Sequence, residues 1–542
     1  MVNGPSIDYG ALSPLLIILG AAIVGVLLEA FLPRAARHAA QLVLAIAALA
    51  TALRATILLA GTTTTPAIGS LHIDGPALFA QGTLLVLAAL ALPAIAERAP
   101  NGGLHAFTPQ GSAIPGSAAE RTAARVAASH TEVFPMLLFS LGGMMILPAA
   151  GDLITLFIAL EILSLPLYVL CGLARHQRLL SHEAAVKYFL LGAFSSAILL
   201  YGIALIYGHS GTVELTGIAT SLATTEGAGL ALLGAGLLAV GLLFKISAAP
   251  FHSWTPDVYQ GAPTPLTGFM AATTKVAAFV ALLRITTVAL PALHDQWLAL
   301  LWAIAALTMA VGTLAAITQS DLKRILAYSA IAHAGFLLTG VLAASPAGTA
   351  ATLFYLATYG MSTIGAFTTL ALLRRHTGDA TALAHWARLG RRAPLLAAAL
   401  TLFLLSFAGI PLTSGFIGKL TVFQAAATSG YLSIVVIGVL ASALAALFYL
   451  RVITVLYLSG EDTEPSDETA TPTQDRGTGS ESGIGAREHG QATATVAPSP
   501  AEIAPRPALY AVVGITAALT IALGIIPGPL LVLAENAATF WR

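Results

Sequence analysis

One acidic residue and three lysines lie deep inside long apolar stretches of this chain, namely Glu161, Lys245, Lys275 and Lys419. A charge at the centre of a bilayer costs roughly 2.5–3.5 kcal/mol on insertion scales, so a charge at that depth indicates a function. Burial lowers the pKa of a lysine and raises that of a glutamate, and a nearby opposite charge reverses both shifts. The four residues therefore form a set of groups that can exchange protons. The alternative is static ion pairs that only join helices, although buried pairs stabilise proteins poorly.

His333 lies midway along an otherwise small and apolar segment, LAYSAIAHAGFLL. Because histidine titrates near neutral pH, this depth favours a proton relay over a satisfied core histidine. His252, beside Pro250, fits either interpretation. Hydroxyl groups near the charged residues could hold waters between them, although most hydroxyls in membrane helices bond to their own backbone. The neighbouring hydroxyl residues are Ser247, Thr273, Thr274, Tyr328, Ser329, Thr413 and Ser414.

Two of the lysines lie beside segments in which proline and glycine weaken a helix. Lys245 precedes Pro250, and Lys419 follows Pro411. Broken helices at membrane depth are tolerated only where they line protein or water. Two breaks at corresponding places in two halves of a chain are typical of inverted repeats. We therefore predict broken helices at the seventh and twelfth spans, and two inverted five-helix repeats at spans 4–8 and 9–13.

The elements that must position these residues are membrane-spanning helices. The chain has 542 residues, of which 57% are hydrophobic and 9% charged, with a mean hydropathy of +0.86. A soluble domain carries roughly 25% charged residues, so the composition predicts an all-α polytopic membrane protein. Stretches of about 20 apolar residues, the length that crosses a bilayer, predict about 14 transmembrane helices. Their centres are near Ala22, Leu49, Leu87, Gly142, Leu163, Ala197, Leu238, Ala278, Leu307, Leu337, Gly360, Leu405, Leu444 and Leu523.

These spans divide the chain into five predicted parts. Residues 1–131 hold three transmembrane helices and a cytoplasmic loop, 132–291 the first inverted repeat, and 292–458 the second. Residues 459–508 are rich in acidic and small polar residues, cannot bury a core, and are predicted to be a disordered cytoplasmic loop. Residues 509–542 hold the final transmembrane helix.

Lysine and arginine predict the orientation of the spans. They concentrate in the connections after spans 1, 3, 5, 9, 11 and 13, which places these connections in the cytoplasm and both termini outside. Cations nearer the ends of spans have simpler interpretations. Lys187, four residues after Glu183, and Arg451 can pair locally or extend to the membrane surface, whereas Arg54 and Arg284 are expected to reach the outer headgroups.

Other classes of function are not indicated. A net charge of zero argues against a nucleic-acid partner, which would require a basic face. The single cysteine, Cys171, excludes a disulfide framework or a cysteine-bound zinc or iron–sulfur centre within this chain. Phosphate-loop, dinucleotide, zinc-protease and nucleophile-elbow motifs are absent from the sequence, so cofactor chemistry is not expected here.

The intramembrane residues lie within runs that resemble a known family. The chain is similar to the N-type antiporter-like membrane subunits of the proton-translocating NADH–quinone oxidoreductase, respiratory complex I. The related M-type subunits tend to carry glutamate where this chain has Lys419, and the L-type subunits have additional C-terminal helices. The resembling runs are GDLITLFIALEILSLPLYVL, EAAVKYFLLGAFSSAILLYG, LLFKISAAPFHSWTPDVYQGAPTP, SDLKRILAYSAIAHAGFLL and AGIPLTSGFIGK.

The resemblance implies a role for each intramembrane residue. A glutamate on the fifth helix pairs with a lysine on the broken seventh, and these match Glu161 and Lys245. A lysine on the eighth helix connects through a histidine to a charged residue on the broken twelfth, and these match Lys275, His333 and Lys419. The implied function is proton translocation coupled to quinone reduction in other subunits.

The resemblance also implies the surroundings of the chain. NAD, FMN, iron–sulfur clusters and quinone are expected in partner subunits, with no cofactor in this one. The expected partners are other membrane subunits of complex I, with K-type and M-type neighbours, and the lipid bilayer of a bacterial plasma membrane. Two alternatives stay open, namely a cation/proton antiporter subunit and a structural spacer whose buried charges act only in assembly.

Overall fold

The structure is a computed structural model. It describes residues 7–67, 69–97, 106–108, 110–115, 117–125, 130–224, 227–375, 378–458, 502–503 and 506–541. Apart from residues 502–503 and 506–508, the loop predicted to be disordered at 459–508 lies outside the described residues.

The described chain is built almost entirely from helices. The α-helices are α1 (Ser13–Phe31), α2 (Arg34–Leu58), α3 (Gly75–Ile95), α4 (Ala118–Arg125), α5 (Val133–Ile146), α6 (Leu153–Cys171), α7 (Arg178–Ser210), α8 (Leu215–Thr224), α9 (Gly229–Lys245), α10 (Trp254–Gly261), α11 (Thr264–Arg284), α12 (His294–Ile317), α13 (Leu322–Leu342), α14 (Pro346–Leu372), α15 (Leu389–Arg392), α16 (Pro394–Ala408), α17 (Ser414–Thr428), α18 (Leu432–Tyr457), α19 (Pro507–Ile525) and α20 (Gly528–Asn536). Single turns of 3-10 helix lie at Leu147–Ala149, Pro291–Leu293 and Leu383–Trp386, and a π-helical turn extends α11 over Ile285–Ala289.

Helices dominate because a bilayer offers no partner for an unpaired backbone group, and a helix pairs these groups internally. Among the described residues, ten helical segments are long and apolar enough to cross a membrane. All fourteen predicted span centres lie within helices, and the four outside those ten segments are in α5, α9, α14 and α16. The fold is therefore a polytopic helical membrane protein, whereas the count of fourteen spans and the inverted repeats stay predictions.

The helices that carry the candidate residues lie at the centre of the bundle. The apolar window of α11, with its π-helical extension, is entirely buried, and that of α13 is 94% buried. The windows of α1, α2 and α18 are only 33% buried. Their outward side chains, such as Leu27 and Leu447, are large and apolar, which suits contact with lipid or with another membrane subunit.

Five of the longer described helices begin at a side-chain cap. In each case an oxygen of the residue before the helix accepts the backbone N–H three residues later, which satisfies an amide that the helix cannot pair. The caps are Asp74 on α3, Asp152 on α6, Asp321 on α13, Ser345 on α14 and Thr413 on α17.

Helix interruptions lie at both predicted places. The first separates α9 from α10 and the second separates α16 from α17. In the first, Ser247 has a φ of 66°; in the second, Gly409 and Leu412 have φ values of 83° and 70°. Left-handed backbone cannot continue a helix, and glycine adopts it without steric cost. The chain therefore turns sharply next to Lys245 and again close to Lys419.

Three short strands form a small sheet that the all-α prediction does not include. They are β1 (Leu373–Arg375), β2 (Gly378–Asp379) and β3 (Glu502–Ile503), in the order β2-β1-β3. Both pairings are antiparallel, with Arg374 opposite Asp379 in one and Leu373 opposite Ile503 in the other. The sheet joins the chain just before α19 to the end of α14 through backbone pairing, which hydropathy does not indicate.

Candidate functional site

Lys275 closes the first helix break. It projects from α11, is 1% exposed, and its Nζ donates to the carbonyl oxygen of Ile246 at 2.9 Å. Ile246 is the residue that follows the last turn of α9. The final carbonyls of a helix have no intrahelical partner and form the negative end of the helix dipole. An ammonium group at this point therefore satisfies a carbonyl and opposes the dipole.

Lys419 occupies the equivalent position at the second break. Its Nζ donates to the carbonyl oxygens of Phe407 and Ala408, the last two residues of α16, at 2.8 and 3.1 Å. It also donates to the Ser442 hydroxyl at 2.7 Å and lies 4.5 Å from the centre of the Phe336 ring. Lys275 and Lys419 thus each cap the C-terminal end of a half-helix.

Lys245 is the last residue of α9 and lies among aromatic rings. Its Nζ is 3.4 Å from the Tyr188 hydroxyl, and 5.7 and 5.2 Å from the ring centres of Tyr168 and Tyr188. Tyr188 stacks on Trp254, the first residue of α10, at 4.6 Å. The Trp254 indole in turn donates to the carbonyl oxygen of Phe244 at 3.0 Å. The lysine is therefore held where the two half-helices meet, with weak contacts to its ammonium group.

Glu161 faces this aromatic cluster from α6 but does not touch Lys245. Its side chain is partly buried, and its Oε1 has no hydrogen-bond partner among the described residues. Among the described residues, no salt bridge within 4.0 Å joins the Glu161 carboxylate to the Lys245 ammonium group. The two groups are nevertheless close enough to interact electrostatically. The structure thus holds the pair implied by the resemblance as separated charges.

His333 is enclosed by α13, α14, α16 and α18. Its Nδ1 is 2.7 Å from the Tyr355 hydroxyl, and its Nε2 is 3.4 Å from the Tyr449 hydroxyl. Tyr359 tilts against the imidazole with 4.7 Å between ring centres. Both Lys275 and Lys419 are near enough to interact with His333 electrostatically.

Two of the remaining polar candidates bond within their own helix, and a third caps a helix. Thr273 and Thr274 donate to carbonyls of their own helix at 2.8 and 2.7 Å, and Thr413 caps α17. Ser329 instead lies 2.5 Å from the Tyr449 hydroxyl. His252 is partly buried in the first break, and its Nδ1 has no hydrogen-bond partner among the described residues.

The expectation that Arg284 reaches the outer headgroups is wrong. Its side chain is 1% exposed and forms a 2.7 Å salt bridge with Asp74, which is fully buried. Its Nε donates to the carbonyl oxygen of Pro148 at 2.8 Å, and the guanidinium lies over the Phe540 ring. Asp74 directly before an apolar run signals a helix cap. Its pairing 210 residues along the chain carries no sequence signal.

Lys187 pairs with Glu183 one turn earlier, as predicted, whereas Arg451 bonds to residues that are distant in the sequence. Lys187 contacts Glu183 at 2.6 Å and also Asp257 of α10 at 2.6 Å. Asp257 binds Arg324 of α13 at 2.7 Å, so this carboxylate joins α7, α10 and α13. Arg451 donates to the carbonyl oxygens of Ile317 and Gln319 at the end of α12. Arg54 is exposed one turn from the end of α2.

Lys323 belongs to the cationic connection predicted after span 9, yet its side chain is buried. It is the second residue of α13, is 2% exposed, and donates to the carbonyl oxygen of Ala262 at 2.7 Å. Ala262 follows the last turn of α10. The half-helix after the first break is thus capped by a lysine as well. Hydropathy missed it because its charged neighbours resemble a loop.

The described residues contain no group of three or more His, Cys, Asp and Glu side chains arranged to hold a metal ion. Cys171 is buried and free. The chemistry that these side chains support is transfer of protons among lysine, carboxylate, imidazole and hydroxyl groups.

Comparisons with known proteins show the family to which the chain is similar. Residues 150–445, which include all five predicted relay residues, match the family model described as NADH:quinone oxidoreductase/Mrp antiporter, TM. NADH-quinone oxidoreductase subunit N of Rhodococcus opacus (strain B4) is 51% identical over 561 residues, which cover 100% of this chain and 98% of the relative.

Two solved structures have the same overall fold. A chain of respiratory complex I from Thermus thermophilus with bound aureothin is 32% identical, with a TM-score of 0.73, and the alignment covers 96% of this chain and 99% of that one. A chain of the Mrp complex from Dietzia sp. DQ12-45-1b has a TM-score of 0.77 and covers 98% of this chain and 97% of that one. At 23% identity, the second likeness concerns the fold alone.

Proposed function

Because this chain belongs to the NADH-quinone oxidoreductase subunit N family, we propose that it is an antiporter-like, proton-translocating membrane subunit of that oxidoreductase. Protons move along a row of buried and partly buried groups while other subunits oxidise NADH and reduce quinone. The row consists of Glu161, Lys245, Lys275, His333 and Lys419.

The observation that carries this proposal is that a buried lysine closes the first half-helix at each break. Lys275 caps the end of α9 and Lys419 caps the end of α16. The carbonyl oxygens and the negative end of each helix dipole favour the protonated lysine. Movement of either half-helix would withdraw these carbonyls and favour release of the proton. Each break can therefore couple backbone movement to proton occupancy.

Glu161 and Lys245 supply a second means of control. When the ionised carboxylate is near, it favours the charged lysine, and when it moves away the lysine gives up its proton more readily. The structure holds the two groups beyond salt-bridge distance but within electrostatic range. The proton then passes through Lys275 and His333, and Lys419 releases it toward the outside of the membrane.

The environment follows from the family. The chain is a multi-pass membrane protein whose partners are other membrane subunits of complex I, and we propose K-type and M-type subunits as direct neighbours. NAD, FMN, iron–sulfur clusters and quinone belong to partner subunits in this proposal, with no redox centre in this chain. We place it in a bacterial plasma membrane with both termini outside, as the distribution of Lys and Arg predicts.

The test is proton pumping measured against NADH–quinone turnover in membranes that carry the complex with Lys245→Ala. We expect loss of both pumping and coupled turnover in a complex that still assembles, as judged by blue-native electrophoresis. Arg54→Ala is the matched control, because Arg54 is an exposed cation near a helix end, and it should leave both rates unchanged. Unchanged pumping by an assembled Lys245→Ala complex would contradict the proposal and favour the structural-spacer alternative.

A cation/proton antiporter subunit is the second candidate, favoured by the matched family model, whose description also names the Mrp antiporter. The two candidates differ in the ion that is moved. Pumping that is independent of sodium and requires NADH oxidation supports the oxidoreductase subunit. Sodium transport driven by an imposed proton gradient, without NADH oxidation, would support the antiporter.

A further inference from the structure

We infer that Tyr355, Tyr449 and Ser329 are relay residues that carry protons to and from His333. This inference rests on the proposed function and extends it to groups outside the row of lysines. The observation behind it is that both ring nitrogens of one buried imidazole face tyrosine hydroxyls, and that one of these hydroxyls continues to a serine.

The contacts form a continuous line of four groups. Ser329 Oγ lies 2.5 Å from the Tyr449 hydroxyl, which lies 3.4 Å from His333 Nε2. His333 Nδ1 lies 2.7 Å from the Tyr355 hydroxyl. Ser329 is 2% exposed and His333 is 1% exposed, and both tyrosines are buried. Bulk water therefore does not compete for these hydrogen bonds.

This arrangement has the chemistry that a proton relay requires. A neutral imidazole has one donor nitrogen and one acceptor nitrogen, so the two tyrosines have opposite hydrogen-bonding roles. When Ser329 receives a proton from a water molecule, it passes its own to Tyr449, and Tyr449 passes its own to Nε2. The imidazolium then releases its other proton from Nδ1 to the Tyr355 oxygen, and the Tyr355 hydroxyl gives up its own proton to a second water molecule. Each hydroxyl gains one proton and loses one, and the histidine returns to neutral with its tautomer exchanged.

The two ends of the line point in different directions. Ser329 lies four residues before His333, about 6 Å nearer the start of α13, which is the side predicted to be cytoplasmic. Tyr355 packs its ring against Gly418, the residue before Lys419, so closely that a Cβ on Gly418 would lie 2.5 Å from ring carbon Cδ2. The line therefore runs from Ser329, in the third turn of α13, to a tyrosine that packs against the residue before Lys419.

Tyr359 provides a control that distinguishes a proton relay from a purely structural role of the tyrosines. Its ring is nearest to His333, at 4.7 Å between centres, yet among the described contacts no hydrogen bond joins its hydroxyl to the imidazole. If the aromatic rings around His333 only pack against it, removing the hydroxyl of Tyr355, Tyr359 or Tyr449 should have an equally small effect on pumping. If the hydroxyls relay protons, removal of the Tyr449 hydroxyl should matter and removal of the Tyr359 hydroxyl should not.

The experiment compares Tyr449→Phe, Tyr355→Phe and Tyr359→Phe in the assembled complex, with pumping and its solvent deuterium isotope effect as readouts. We expect at least a roughly tenfold loss of pumping for the first two. This is less than the ~10²–10⁴-fold usual for a positioned proton-transfer group, because waters can replace a hydroxyl in part. The remaining pumping should show a larger isotope effect, and Tyr359→Phe should match the unmodified chain.

Ser329→Ala and Ser329→Thr form a second pair that does not alter the aromatic rings around His333. The alanine variant should lose pumping and the threonine variant should regain it, because threonine restores the hydroxyl. If Tyr449→Phe fails to assemble, the comparison of the two Ser329 variants tests the inference instead. Normal pumping by Tyr449→Phe, or by Ser329→Ala, would overturn the inference.

His333→Ala, measured in parallel, separates this inference from the proposed function. Loss of pumping in His333→Ala with normal pumping in Tyr449→Phe would refute only the tyrosine relay. Normal pumping in both His333→Ala and Lys245→Ala would refute the proposed function itself.

Discussion

Arg284 and Asp74 form a 2.7 Å salt bridge in which the side chains are only 1% and 0% exposed. The arginine comes from the end of α11 and the aspartate caps the start of α3. Asp74 also accepts the backbone N–H of Trp541 at 3.2 Å. The pair therefore connects the last turn of α11 to the C-terminal segment.

Removing Arg284 should destabilise the protein strongly. Arg284→Met leaves Asp74 buried without its counter-charge, which typically costs about 3–5 kcal/mol. The measurement is the thermal unfolding midpoint of the detergent-solubilised complex, together with the assembled amount. Combining Arg284→Met with Asp74→Asn should recover most of the loss, because asparagine is uncharged and still caps a helix. A double variant as unstable as the single one would show that the charge imbalance is not the cause.

The same region should respond to acid. His72 lies between α2 and α3, and its pKa is below its ordinary value of 6.5 because of burial and the nearby Arg284 charge. Protonation is therefore harder in the folded state, so its contribution to stability is complete above pH 6.5 and is lost as the pH falls toward the folded-state pKa. The thermal unfolding midpoint should therefore decrease as the pH is lowered from 7 to 5. The fall should be smaller in His72→Gln, and an equal fall would exclude His72 as the source.

Gly418→Ala should impair function without a charge change. The added Cβ would lie 2.5 Å from Tyr355 Cδ2, inside a helix packed against a buried ring, so the ring must leave the position in which its hydroxyl lies 2.7 Å from His333 Nδ1. We expect a clear loss of pumping. Gly236→Ala is the control, because no atom lies within 4 Å of the point that its added Cβ would occupy and alanine favours a helix by about 1 kcal/mol. Equal pumping by the two variants would contradict this interpretation of Gly418.

Lys245→Arg tests whether this position must release its proton. Arginine keeps the positive charge among Tyr168, Tyr188 and Trp254 but does not deprotonate in proteins. The variant should assemble, judged by blue-native electrophoresis, yet lose pumping and coupled turnover. Retained pumping would mean that the residue acts only as a fixed charge.

Much of the candidate site is readable from local sequence. Lys245, Lys275, Lys419 and His333 were placed at membrane depth by hydropathy, and all four are at most 4% exposed. The helix breaks followed from proline and glycine near two of these lysines. These features are predictable because the cost of an unpaired backbone group or charge in a bilayer depends mainly on the residues adjacent in sequence.

The hydrogen-bond and ion-pair partners of these groups cannot be inferred from the local sequence. Lys275 and Ile246 are 29 residues apart, Lys323 and Ala262 are 61 apart, and Tyr449 and His333 are 116 apart. Arg284 was expected at the membrane surface because its sequence neighbours place it near the end of a span, and nothing local indicates Asp74.

Local sequence is enough to predict a polytopic helical membrane protein with proton-exchangeable groups beside two helix breaks. The carbonyl, hydroxyl or carboxylate that each charged group meets depends on how the helices pack. The two kinds of feature differ in the distance along the chain over which they are set. Burial in a bilayer is set by roughly twenty consecutive residues, whereas a hydrogen bond is decided within about 3 Å by helices that are distant in sequence.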